Sequence, residues 1–203
     1  MHDFLYLASQ SPRRLQLLQQ IGARCELLLP ADDEDAEALE TALPGELPET
    51  YVQRVTALKL QAAIKRLRRS KLPAAPVLCA DTTVALGRQI MGKPADADEA
   101  VQMLQRLSGR THRVLSAVAV HDGKEMLQAL STSKVRFMPL PAAIIEAFVQ
   151  SGEPFGKAGS YAIQGPFAGW IEHISGSHSG IMGLPLCQTT QVLRSAGVAL
   201  ALR

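Results

Sequence analysis

Cysteine is scarce in this chain and is not arranged for use. The three residues Cys25, Cys79 and Cys187 are scattered, odd in number and never spaced as C-x-x-C. That argues against a disulfide framework and against a zinc site, and it suits a reducing compartment. An excess of one charge is lacking too: the formal net charge is +2, too small a field to argue for nucleic acid or a membrane surface. Aromatic residues make up 4%, and none interleaves the basic stretch Lys65, Arg66, Arg68, Arg69 and Lys71. That stretch therefore reads as the dipole-favoured end of a helix rather than as a nucleic-acid face. No apolar run is long enough to span a bilayer. Phe4 to Ala8 is too short for a signal-peptide core and follows no basic segment, so the expectation is a cytoplasmic protein without a membrane partner. Repeats and low-complexity tails are absent as well.

What the chain does have is an ordinary globular balance, 47% apolar and 20% charged over 203 residues. That is enough to bury a core in one domain, 1–203, or two closely packed lobes. The stretch that organises it is Leu5 to Leu15. Leu5, Tyr6, Leu7 and Ala8 form a run of strand length, and Leu15, Leu17, Leu18 and Ile21 mark one side of a helix closed by Gly22. Ser11 is placed as its N-cap and Pro12 as its first helical residue. Arg13 and Arg14 then put two cations in the first turn, where the macrodipole is already positive and free N–H groups point outward. Either both fan into water, or something negative sits there. A phosphate fits the second case, because guanidinium forks, a helix N-terminus and the hydroxyls of Ser9 and Ser11 all donate to oxyanions.

Further along, Cys25 to Leu29 reads as a second strand, followed by the acidic residues Asp32, Asp33, Glu34, Asp35, Glu37 and Glu40. Most of these suit a solvated loop, and one or two could face the arginines and hold a divalent cation. A long helix is expected from about Glu49 to Ser70, with Tyr51, Val55, Leu58 and Ala62 as its main stripe and Val52 and Ala63 beside it. Lys59 falls on the edge of that face, from which it either snorkels to water or meets phosphate as a point charge. Val77 to Leu86 is the strongest strand, and Asp81 interrupts it. Such an acid sits at an exposed strand end or is held by a partner, as a general base, as a metal ligand, or simply satisfied by neighbours such as Thr82 and Thr83.

A turn at Gly87-Arg88, a short strand at Gln89 to Met91 and a rigid Gly92-Lys93-Pro94 loop come next. Asp96 and Glu99 form a capping box for a helix ended by Ser108-Gly109. Val114 to Val120 and Met126 to Phe137 read as a hairpin, and Pro141 opens a helix that stops at Gly152. The segment from Gly152 to Gly165 is expected to be a shaped loop entering a strand, where Lys157 could meet phosphate and Gln164 could read a base edge with its amide. A strand at Ile171 to Ile174, a glycine-rich loop from Gly176 to Gly183 and a last helix from Leu184-Pro185 to Gly197 complete the chain.

Taken in order, Ser9-x-Ser11-Pro12-Arg13-Arg14, Ala80-Asp81-Thr82, Gly92-Lys93-Pro94, Leu107-Ser108-Gly109 with His112, Lys157-Ala158-Gly159-x-Tyr161-x-Ile163-Gln164-Gly165 and Gly183-Leu184-Pro185 resemble the motifs of the Maf family of nucleoside triphosphate pyrophosphatases. The resemblance spans nearly the whole chain. It implies an α/β fold of the Maf/ITPase-like kind, an elongated mixed sheet in two lobes with flanking helices around a nucleotide cleft, usually as a homodimer. It also implies hydrolysis between the α- and β-phosphates, dependent on a divalent metal cation, Mg²⁺ or Mn²⁺. By position, Asp81 resembles the family's proton acceptor, and Arg13, Thr82 and Gln164 its substrate-specificity positions. Ser9, Arg14, Lys59, Lys93 and Lys157 resemble its phosphate-contacting set, and Glu34 with Asp81 its metal ligands. Gln164 is similar to the branch acting on dTTP and UTP, whereas the branch acting on 7-methyl-GTP typically has Glu there. A nucleotide-binding regulator of cell division is the implied alternative to an enzyme. Two positions depart from the pattern, Ser116 where threonine is usual and His178 where tyrosine is common.

Overall fold

The computed structural model describes residues 1–30, 34 and 38–202. Its elements, in chain order, are β1 (Leu5–Leu7), α1 (Pro12–Gln20), β2 (Cys25–Leu27), α2 (Pro48–Arg69), β3 (Val77–Leu86), β4 (Gln89–Met91), α3 (Ala97–Leu107), β5 (Thr111–His121), β6 (Met126–Phe137), α4 (Ala142–Gln150), β7 (Ile171–Ser175), α5 (His178–Ile181) and α6 (Leu186–Ser195). All seven strands join one sheet in the order β2-β1-β3-β5-β6-β7, with β4 paired to β3. The β1 strand runs parallel to both neighbours, with Leu5 opposite Cys25 and Tyr6 opposite Val77. Every other pairing is antiparallel. This is the mixed α/β architecture expected.

The length of β3 sets the plan. Its near-continuous burial reads as a strand covered on both faces. In its first half, Leu78 and Ala80 pack with Leu5, Leu7, Leu17, Leu18 and Leu193, while Val77 and Cys79 pack with Tyr6, Leu60 and Ala63 on the other face. In its second half, Val84 joins Leu104, Leu107, Ile145 and Phe148, and Ala85 joins Tyr51, Val52 and Val55. The apolar clusters thus fall into two lobes along one strand. Asp81, Thr82 and Thr83 lie between them and contribute to neither.

Several expectations shift by a residue or a rotation. The β2 strand stops at Leu27 rather than Leu29: it is a sheet edge, and Pro30 has no N–H to extend the ladder. The buried face of α2 is Tyr51, Val52, Val55, Thr56, Leu60 and Ala63, with Leu58 and Ala62 only half-buried. The face is therefore rotated toward Lys59 and away from the predicted stripe. The capping box of α3 forms with one change, since Asp96 accepts from the Glu99 N–H at 2.8 Å while Glu99 accepts from Ala95 rather than Asp96. The segment after Gly152 does not enter a strand. Gly159 and Ser160 adopt positive φ in succession, 68° and 67°, and the chain continues through tight 3₁₀ turns at Ala158–Ser160 and Pro166–Trp170 before β7. Two left-handed residues in a row fold the backbone away from any ladder.

Candidate active site

At the first helix the local rules hold with one substitution of roles. Ser11 has the extended N-cap backbone and Pro12 follows at the first position, but the Ser11 hydroxyl makes no cap bond. Ser9 acts instead: its Oγ accepts from the Ser11 N–H at 3.2 Å and from Arg14 Nη1 at 3.1 Å. Arg14 Nε donates to the Gly183 carbonyl at 2.9 Å, which ties the helix start to the loop before α6. Burial lowers the Arg14 pKa, and the nearby Asp81 carboxylate works against that shift. Neither Arg13 nor Arg14 is paired with a carboxylate among the described residues.

Asp81 sits in the middle of β3, 8% exposed, so of the sequence alternatives it is the acid held by a partner. The partner is Lys59: Nζ donates to Asp81 Oδ1 at 2.5 Å and to Glu40 Oε1 at 2.7 Å. Glu40 also meets Lys93, with Oε2 3.0 Å from its Nζ. Burial raises the Asp81 pKa, the pull of Lys59 and Arg14 only partly offsetting it. For Glu40 burial acts the same way, but the combined attraction of Lys59 and Lys93 outweighs it and its pKa falls. Two carboxylates on one ammonium are thereby pushed in opposite directions.

Thr82 Oγ1 is 2.7 Å from Ser116 Oγ, which donates to the Gly180 carbonyl at 2.6 Å. A relay of hydroxyls therefore links β3, β5 and α5, and Ser116 supplies the hydroxyl a threonine would. His178 is exposed on α5 and does not line the cavity. Lys157 bonds the Glu153 carbonyl and lies 3.4 Å from Glu153 Oε2, while Gln164 is exposed and its amide is unpaired among the described residues. The loop carrying both is fixed from below. Gly159 donates to Gly92 O at 2.9 Å, and the Tyr161 hydroxyl lies 2.8 Å from His112 Nε2. Phe137 meets both of those rings edge to face.

Ser9, Arg13, Arg14, Glu34, Lys59, Asp81, Thr82, Lys93, Lys157 and Gln164, separated by up to 155 positions in the chain, all line one cavity of about 590 Å³. Glu40, Tyr51 and Arg66 line it too; sequence reasoning offered Glu40 only as one of six acids that could face the arginines, and gave Tyr51 and Arg66 no place there. Arg66 grips Glu34 with Nε at 3.0 Å and Nη2 at 2.5 Å, and its Nη1 bonds the Leu28 carbonyl at 2.8 Å. Of the acidic stretch, Asp32, Asp33, Asp35 and Glu37 lie outside the described residues. Among the described lining residues six cations face three carboxylates, an imbalance that suits a polyanion. No group of three or more His, Cys, Asp or Glu side chains comes together as a preformed metal site among the described residues.

A family model described as Maf-like protein matches residues 4–196. The dTTP/UTP pyrophosphatase of Polaromonas sp. is 62% identical over 196 residues, covering 97% of each chain. That of Albidiferax ferrireducens is 59% identical over 197 residues, covering 97% of this chain and 98% of its own. The Staphylococcus aureus Ham1 protein aligns over 66% of this chain and 72% of its own, at 15% identity and a TM-score of 0.46.

Proposed function

The chain belongs to the Maf family, and on that premise we propose that it hydrolyses dTTP and UTP to the nucleoside monophosphate and pyrophosphate. The observation that carries the reading is Asp81, a buried carboxylate of raised pKa in a cavity where cations outnumber carboxylates among the described residues. Breaking a phosphoanhydride needs charge neutralisation and a positioned nucleophile more than covalent chemistry. Asp81 takes the proton of the attacking water. Burial makes it a stronger base than a solvated aspartate, while Lys59 favours its charged form and orients it. Arg13, Arg14, Lys93 and Lys157 meet the phosphate chain, with Ser9 holding the Arg14 fork in place.

A divalent cation fits this donor set, because Mg²⁺ takes one or two protein carboxylates and draws its other ligands from water and phosphate. Asp81 and Glu34 are the carboxylates proposed to hold it, Glu34 by exchanging its grip on Arg66. When bound, the metal would neutralise phosphate charge and polarise the bond to be broken. A homodimer, a cytoplasmic location and one catalytic domain over the whole chain belong to the same proposal. No helix among the described residues is long and apolar enough to cross a membrane.

Base choice is assigned to Gln164, with Arg13 and Thr82 beside it. An amide offers one donor and one acceptor, which match the adjacent carbonyl and N–H of uracil and thymine, whereas a carboxylate offers acceptors alone. The test is a panel of dTTP, UTP, CTP, GTP and 7-methyl-GTP with Mg²⁺, run on the wild type and on Gln164→Glu. The proposal expects dTTP and UTP to lead in kcat/KM and the substitution to lower their ratio to GTP by about tenfold or more, as for lost hydrogen bonds to the base. An unchanged ratio removes Gln164 from base selection, and a wild-type preference for 7-methyl-GTP moves the enzyme to the other branch.

A further inference from the structure

The two lysines at the centre of the cavity already hold an anion. Glu40 Oε1 accepts from Lys59 Nζ at 2.7 Å and from Lys93 Nζ at 3.2 Å, and its Oε2 lies 3.0 Å from the same Lys93 nitrogen. These are the lengths of charge-assisted bonds to an oxyanion. We propose that Glu40 is an internal competitor for the phosphate chain, its carboxylate standing between Lys59 and Lys93 where phosphate oxygens bind. This rests on the reading that the cavity takes a polyphosphate, and it adds a residue which that reading does not use.

The surroundings separate Glu40 from the other two carboxylates. Asp81 is locked into the middle of a strand, and Glu34 is held by two bonds from one edge of the Arg66 guanidinium. Glu40 stands on a 3₁₀ turn, Ala38–Glu40, with its side chain 23% exposed and that of Lys93 38% exposed. The backbone of the turn is pinned to α2: Tyr51 donates its hydroxyl to the Glu40 carbonyl at 2.9 Å, and Arg54 Nη2 donates to the Thr41 carbonyl at 2.9 Å. Rotation of that one side chain into adjacent water ends its contacts with both lysines, and Lys59 keeps Asp81 when it happens. Arg13 and Arg14, which bear no carboxylate among the described residues, make the first contact with an incoming phosphate chain, and Glu40 is displaced second. The same carboxylate returns as products leave, so pyrophosphate is held less tightly than the cations alone would hold it.

The test is calorimetric titration of inorganic pyrophosphate, with Mg²⁺ present, into the wild type, Glu40→Gln and Glu40→Ala, with thermal midpoints showing that each is folded. Two variants keep the test intact if one fails to fold. Removing the competitor should lower the pyrophosphate Kd about five- to tenfold in both, as for removal of a partly exposed double ion pair. The inhibition constant of pyrophosphate against dTTP turnover should fall in parallel, and the KM for dTTP with it. An unchanged or higher Kd in folded variants, while the wild type still turns over dTTP, overturns the inference and makes Glu40 a positioning residue for the lysines. A wild type that neither binds pyrophosphate nor releases it from any nucleoside triphosphate overturns the polyphosphate reading, and the competitor falls with it.

Discussion

Asp81 is a carboxylate buried in the middle of β3, between two apolar clusters. A carboxylate in the middle of a strand is costly to bury, and burial raises its pKa. A group protonated more readily when folded stabilises the fold below its unfolded pKa, and that contribution is lost as pH rises through its folded pKa. Asp81→Asn should therefore lose turnover by about 10²- to 10⁴-fold, the usual worth of a general base. Its thermal midpoint in metal-free buffer should at least match that of the wild type, with the difference growing in the variant's favour as pH rises above the unfolded aspartate value of about 4; differential scanning calorimetry reads this directly.

His112 is the opposite case, an imidazole that burial pushes down to about 4 from 6.5. Its contribution is present above pH 6.5 and disappears as pH falls toward 4, about 3 kcal/mol over that interval. Wild-type stability should drop across this range, and His112→Gln, less stable at pH 7, should lack that component. The sequence showed His112 only as part of a motif. Its role under Tyr161 depends on a contact 49 positions away.

At the scale of elements, what local chemistry decides was legible. The proline that opens α1, the limits of β3 and the hairpin of β5 and β6 follow from residue type and period, whereas the Ser11 hydroxyl expected as a cap makes no cap bond. Lys59 was placed at the edge of a helix face by spacing alone, and the choice between water and the site was made by Asp81 on the neighbouring strand. Glu40 and Arg66 were visible as an acidic loop residue and a basic helix end. Their place in the cavity depends on how the turn before α2 packs against it, which no local pattern encodes. The loop from Lys157 to Gln164 was mistaken for the approach to a strand because its residues are apolar enough for one. Its real geometry rests on Gly159 at φ 68°, where an added Cβ would lie 2.9 Å from the Val84 side chain. Gly159→Ala should destabilise the protein by about 1–3 kcal/mol. It should also raise the KM for dTTP more than it lowers kcat, because the loop carries the proposed phosphate and base contacts, Lys157 and Gln164, rather than the proposed proton acceptor. Steady-state kinetics beside a denaturant titration checks both.

The molecule as a whole places its site where its cores stop. One long strand carries an apolar cluster at each end, and the acid between them faces a cavity lined from α1, α2, the Gly92-Lys93 loop and the segment 156–164. The family resemblance drew the cleft and its residues together before any packing was known, but the ion pairs within it emerge only from the assembled lobes. The central claim is that Asp81 drives water onto the bond between the α- and β-phosphates. It is tested most directly by following dTTP with Mg²⁺ by phosphorus NMR, in the wild type and in Asp81→Asn. The account predicts dTMP and pyrophosphate as the first products and their near-disappearance in the folded variant. Orthophosphate and dTDP as first products, or undiminished turnover by Asp81→Asn, would contradict it.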